Sequence, residues 1–160
     1  MNIYIHTKRC TRFLRVYMSE SAATVRFIGH VKEREDQISV IELSEEYCLG
    51  LLGIEEYSHL IILYWMHLVD NEGQRGTLYC YPRRDRRSEP RGVFTCRNPS
   101  RPNPIGLTVV EFMELDGCKL RVKGLDAFEG SPIVDIKSYS PLSDAYSDAK
   151  IPDWSWDLKK

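Results

Sequence analysis

A mainly β fold, a small antiparallel barrel with one or two short helices and no Rossmann sheet, is predicted by three features of the sequence. Apolar residues alternate in period two over short stretches, turn-forming residues separate those stretches at close intervals, and helical patterning is confined to brief segments. At 160 residues the chain is about one domain long and can bury a sizeable core.

Residues 1–23 read as an N-terminal extension, because regular apolar alternation begins only near Val25, and Met18 is an alternative start. The main domain is expected over residues 24–142. Within it, residues 24–29 (TVRFIG) and 38–43 (ISVIEL) alternate in period two and predict strands with one buried face, joined by the charged residues 32–36. Ser44 followed by Glu45 and Glu46 has the form of a helix cap and acidic first turn, predicting a two-turn helix that runs through Leu52 and stops at Gly53.

Residues 59–67 (HLIILYWMH) form a near-continuous apolar run, too short for an ordinary helix, and predict a central strand buried on both faces. A β-rich piece, 77–81, stops at Pro82, where an arginine-rich loop begins and runs to Gly92. Residues 107–115 and 118–122 flank Asp116-Gly117 and predict a tight hairpin. A last strand is expected at 133–136, and residues 143–160 read as an irregular tail rich in Ser, Pro, Asp and Trp.

The net charge of −1 gives no overall attraction to nucleic acid or membrane, but the charge is unevenly placed. Seven arginines lie between Arg83 and Arg101, at 83, 84, 86, 87, 91, 97 and 101. No apolar run is long enough to span a bilayer and no secretory leader is present, which predicts a cytosolic protein. The five cysteines, Cys10, Cys48, Cys80, Cys96 and Cys118, contain no CxxC pair and read as reduced thiols, with no metal site.

Common nucleotide, phosphate, hydrolase and zinc signatures are absent, which leaves a site assembled from loops. The strongest candidate is residues 97–108 (RNPSRPNPIGLT). Its three prolines fix φ and remove donors, so the loop is stiff and presents polar groups with little entropy left to lose. The second candidate is the glycine-flanked acidic turn at 124–132 (GLDAFEGSP); an ion pair from Arg97 or Arg101 to Asp126 or Glu129 is a purely structural alternative. His67 is a third candidate, at the end of the apolar run, whereas His59 reads as structural. Cys96 beside Arg97 lacks an identifiable base and does not read as a nucleophile.

The segments GVFTCRNPSRPNPIGLTVV, GLDAFEGSPIVDIKSYSP and EEYSHLIILYWMH together resemble the YaeB-like family of tRNA methyltransferases, which methylate N6 of threonylcarbamoyladenosine at tRNA position 37. The likeness runs from about Val25 to Pro141, and the chain looks like a short form. The resemblance implies a barrel-like domain that binds S-adenosylmethionine without a Rossmann sheet and works as a homodimer. Carried over position by position, it places cofactor contacts on His67 and Leu68, Arg97, Leu107, and Asp126, Ala127, Phe128 and Glu129. Arg83, Arg84, Arg86, Arg87 and Arg91 are then expected to grip phosphates of the anticodon loop. Tyr139 and His67 are general-base candidates by residue type alone.

The chain departs from the family pattern in several places. Residues 32–37 (KEREDQ) lack the family's proline-arginine-glutamine loop, Cys96 and Asn98 replace the usual small hydroxyl residues, and the turn carries Glu129 and Ser131. Two other readings therefore stand beside tRNA methylation: a methyltransferase acting on another small or nucleotide acceptor, and a non-catalytic module that binds the cofactor or RNA.

Overall fold

The computed structural model describes residues 23–82 and 88–155. Six strands pair in the order β1-β2-β7-β6-β3-β8, all antiparallel, and β8 pairs back to β1 so that the ladder closes on itself. They are β1 (Gly29–Glu35), β2 (Ile38–Leu43), β3 (His59–Trp65), β6 (Ile105–Asp116), β7 (Lys119–Lys123) and β8 (Pro132–Ser138). A separate ribbon, β4 (Tyr79–Cys80) with β5 (Arg91–Gly92), stands outside the ring. Among the described residues, two one-turn helices, α1 (Glu72–Arg75) and α2 (Pro141–Asp144), and several 3-10 segments accompany the strands. The molecule is thus mainly β with little helix, as the short alternating stretches predict.

Period-two side chains fill the interior. Ser39, Ile41 and Leu43 of β2, Leu60, Ile62 and Tyr64 of β3, and Leu120 and Val122 of β7 are buried, with Val31, Val110 and Ile133 joining them. Each buried aliphatic side chain contributes roughly 1.5–3 kcal/mol relative to exposure. Beyond the core, the β6–β7 hairpin turns at Gly117 and Cys118, one residue later than the predicted Asp116-Gly117, because Asp116 still pairs with Lys119.

Several expectations are corrected. Residues 24–28 are not a strand; β1 begins at Gly29 and takes in the charged residues expected to form a connection. Hairpin pairing with β2 satisfies that backbone, so the outer side chains need not be apolar. β3 buries only one face fully, since a closed ring has one interior. The predicted 44–52 helix is a 3-10 segment, Glu45–Leu51, and Ser44 makes no side-chain cap. Residues 93–95 form a 3-10 turn, and residues 105–108 belong to β6, leaving the irregular loop at 97–104.

The reduced state expected for all the cysteines is also corrected. Cys48 and Cys118 form a disulfide, with Cα atoms 5.1 Å apart across 70 residues of chain. Sequence spacing cannot reveal that the 3-10 segment after β2 packs beside the β6–β7 turn. The predicted extension, apart from Ala23, and Met18 lie outside the described residues, as do Arg83, Arg84, Arg86 and Arg87 of the basic loop.

Candidate functional site

The end of the ring where β3 stops and β6 starts opens into a cleft of about 740 Å³. Register explains its position: Trp65 pairs with Ile105 and Tyr64 with Gly106, so the proline loop enters β6 at the point where the chain leaves β3. Met66 N–H donates to the Pro104 carbonyl at 2.8 Å and fixes that junction. Residues 66–69 form one wall, the proline loop another, and the 125–131 turn the third.

The proline loop is anchored from α1. Arg75 donates to the Pro102 carbonyl at 3.4 Å and lies 5.3 Å from the centre of the Trp65 ring. Asp70 holds the same guanidinium and accepts from Trp65 Nε1 at 2.8 Å, and these bonds, the arginine's first, keep its carboxyl below the usual carboxylate range. Ser100 donates to Gln74, and Arg101 donates to the Cys96 carbonyl at 3.5 Å. Rigidity from proline is thereby reinforced by side chains that arrive from a separate element.

The acidic turn is fixed from the ring. Gly130 adopts φ 79°, a conformation open to glycine, and its N–H donates to the Val31 carbonyl at 2.8 Å. Arg34 donates to the Ala127 carbonyl at 3.1 Å. Leu125 and Ala127 are buried, so the intervening Asp126 is turned outward into the cleft. Tyr64 donates to Asp126 Oδ1 at 2.7 Å, and Thr108 donates to the same oxygen.

Of the residues expected at the site, His67, Leu68, Arg97, Leu107, Asp126 and Phe128 line this one cleft. Ala127 and Glu129 do not: Ala127 is buried beneath the turn, and Glu129 is exposed beside it. His67 starts a 3-10 turn two residues beyond β3, and its Nδ1 lies 3.4 Å from Ser131 Oγ, a buried hydroxyl. Among the described residues, neither Arg97 nor Arg101 forms an ion pair with Asp126 or Glu129. Tyr139 is removed from consideration as a base, since it packs on His59 at the opposite end of β3. Arg91 lies in β5 with its guanidinium 5.6 Å from the centre of the Trp154 ring.

Tyr64 and Phe94 lie outside the stretches marked in the sequence, whereas Thr108 and Ser131 lie inside the proline loop and the acidic turn without being singled out there. Tyr64 sits within an apolar run and reads as core. Phe94 is 75% exposed on the cleft rim. Cys96 lines the cleft with the Cys80 thiol beside it, and burial, followed by that neighbour, pushes Cys80 up to about 11. A thiol held protonated is a poor nucleophile.

Fold and cleft together define a compact non-Rossmann β domain with a ligand site at one end of a strand ring. The chain belongs to the tRNA-methyltransferase O N-terminal domain family, whose profile matches residues 29–145. An S-adenosyl-L-methionine-binding protein of Archaeoglobus fulgidus is 49% identical over 109 residues, covering 68% of this chain and 74% of that protein. The tRNA (adenine(37)-N6)-methyltransferase of Escherichia coli is 34% identical over 140 residues, covering 85% of this chain and 58% of the enzyme. A crystal structure of TrmO from Pseudomonas aeruginosa superposes with a TM-score of 0.63 at 26% identity, covering 81% of this chain and 61% of that one. The chain therefore spans about three fifths of the solved TrmO structure and of the Escherichia coli enzyme.

Proposed function

We propose that the protein is an S-adenosylmethionine-dependent tRNA methyltransferase that methylates N6 of threonylcarbamoyladenosine at position 37. The observation that carries this reading is the convergence of three distant chain segments, residues 66–69, 97–107 and 126–131, on one cleft of about 740 Å³. That volume lies within the ordinary range for small-molecule sites. Membership of the family and the names of the relatives support both cofactor and reaction.

The residues present fit the cofactor. Leu68, Leu107, Phe94 and Phe128 supply apolar surface for an adenine ring, Asp126 a carboxylate for hydroxyl or ammonium donors, and Arg97 a cation for a carboxylate. When bound, S-adenosylmethionine supplies a methyl group activated for in-line displacement. The protein's part is alignment and exclusion of water. The braced proline loop sets one wall, and the Asp126 turn sets another. His67, in the cleft with Nδ1 against Ser131, is the chain's candidate for taking the proton from the acceptor nitrogen.

An anticodon-loop base is single-stranded and enters a pocket without duplex melting. We read the basic loop between β4 and β5 as the phosphate grip, the six-strand ring as the barrel of one domain over residues 24–142, and residues 1–23 and 143–160 as its appendages. What supports a homodimer is the set of large apolar side chains left uncovered around the cleft. A tRNA substrate supports action in the cytoplasm; among the described residues no helix is long and apolar enough to cross a membrane. Nucleoside mass analysis of bulk tRNA tests the substrate: cells lacking the protein are expected to lose one methyl from the hypermodified adenosine. An unchanged nucleoside profile rejects it in favour of another acceptor.

A further inference from the structure

We propose that Tyr64 and Thr108 are positioning residues that clamp one oxygen of Asp126, leaving its second oxygen directed to a hydroxyl or ammonium donor of the ligand. The inference rests on the cofactor reading above and deepens it. Tyr64 Oη donates to Asp126 Oδ1 at 2.7 Å and Thr108 Oγ1 donates to the same atom, while among the described residues Oδ2 accepts no hydrogen bond. A carboxylate on an outward turn is otherwise free to rotate. Two donors on one oxygen fix its plane.

The sequence is built around this clamp. Tyr64 pairs with Gly106 and its neighbour on the same strand face, Ile62, pairs with Thr108, so the two hydroxyls reach one end of the ring from adjacent strands. A Cβ on Gly106 would overlap the Tyr64 ring, which makes that glycine a clearance for the tyrosine. Tyr64 is buried, its hydroxyl is held above the ordinary tyrosine range by burial and then by Asp126, and it stays a donor across the working pH. Tyr64 itself lines the cleft, and among the described residues Asp126 is the acidic group its hydroxyl bonds.

The test is a binding series with purified protein, S-adenosylmethionine and 5′-methylthioadenosine, which keeps the ribose but lacks the amino acid. Tyr64→Phe keeps the ring above Gly106 and is expected to weaken S-adenosylmethionine about tenfold, within the range of a charge-assisted contact. Thr108→Val is expected to do the same and Thr108→Ser to restore most of the loss. In an Asp126→Asn background the tyrosine change is expected to add less than about twofold, because the residue acts through the carboxylate. A loss shared by methylthioadenosine assigns the donor to ribose; a loss confined to the full cofactor assigns it to the ammonium group. Equal losses from Tyr64→Phe in both backgrounds, or a serine no better than valine, overturn the clamp.

A second readout needs no ligand. With tyrosines labelled at 13Cζ, the signal missing in Tyr64→Phe identifies Tyr64, and it is expected to ionise at lower pH once Asp126 becomes asparagine. No change in that signal overturns the clamp even if the wild-type protein binds no S-adenosylmethionine, a result that would by itself reject the cofactor reading.

Discussion

At Asp126 and Arg97 the chain places opposite charges in one cleft without letting them neutralise each other. Both line the cavity and neither pairs with the other, so each remains available to a ligand bearing both signs. Replacing either by alanine is expected to weaken S-adenosylmethionine binding roughly ten- to hundredfold, the cost of one charge-assisted contact. Isothermal titration with the two variants checks this, and an unchanged Kd for both removes them from the site. The residues were legible because their neighbours are unusual: three prolines beside Arg97 and a glycine-bracketed turn around Asp126. Tyr64 was not. Its surroundings in sequence are apolar, and its polar role depends on a turn 62 residues away that only folding brings to it.

Between elements, the close approach of β3 and β6 decides the shape of the cleft floor. Gly106→Ala is expected to force the Tyr64 ring aside at a cost of about 1–3 kcal/mol, the usual scale for overpacking. Chemical denaturation with parallel cofactor titration checks both consequences; a variant with normal stability and affinity contradicts the packing. The Cys48–Cys118 disulfide spans 70 residues, and loop-closure entropy gives such a link about 4 kcal/mol. Reduction is expected to lower Tm and to expose two further thiols to a labelling reagent; a non-reduced protein that already shows them contradicts the link. Element boundaries followed the same logic as the residues. β2, β6, β7 and β8 were readable from alternation and turns, whereas β1 was displaced because its outward face is charged and its pairing is a backbone matter. In the outer ribbon, β4 falls within the β-rich piece read at 77–81, whereas β5 is two residues long and too short to register as a pattern.

At the scale of the whole molecule, a near-neutral protein carries a segment in which basic residues are concentrated. Five of its seven arginines, Arg83, Arg84, Arg86, Arg87 and Arg91, belong to the β4–β5 connection and its second strand. If that segment grips phosphates, the dependence of log K on log salt for tRNA falls by about 0.7–0.9 per arginine removed. Filter binding over a salt series measures it, and a charge-reversed loop with unaltered tRNA affinity rejects the grip. The chain spans 61% of the solved TrmO structure.

Incubation of the purified protein with methyl-labelled S-adenosylmethionine and tRNA bearing threonylcarbamoyladenosine measures the proposed transfer itself. One labelled methyl is expected on N6 of that nucleoside, and it is expected to be lost when Asp126 is replaced by alanine. Transfer to another nucleoside, or no transfer to RNA while the cofactor still binds, would contradict the proposal.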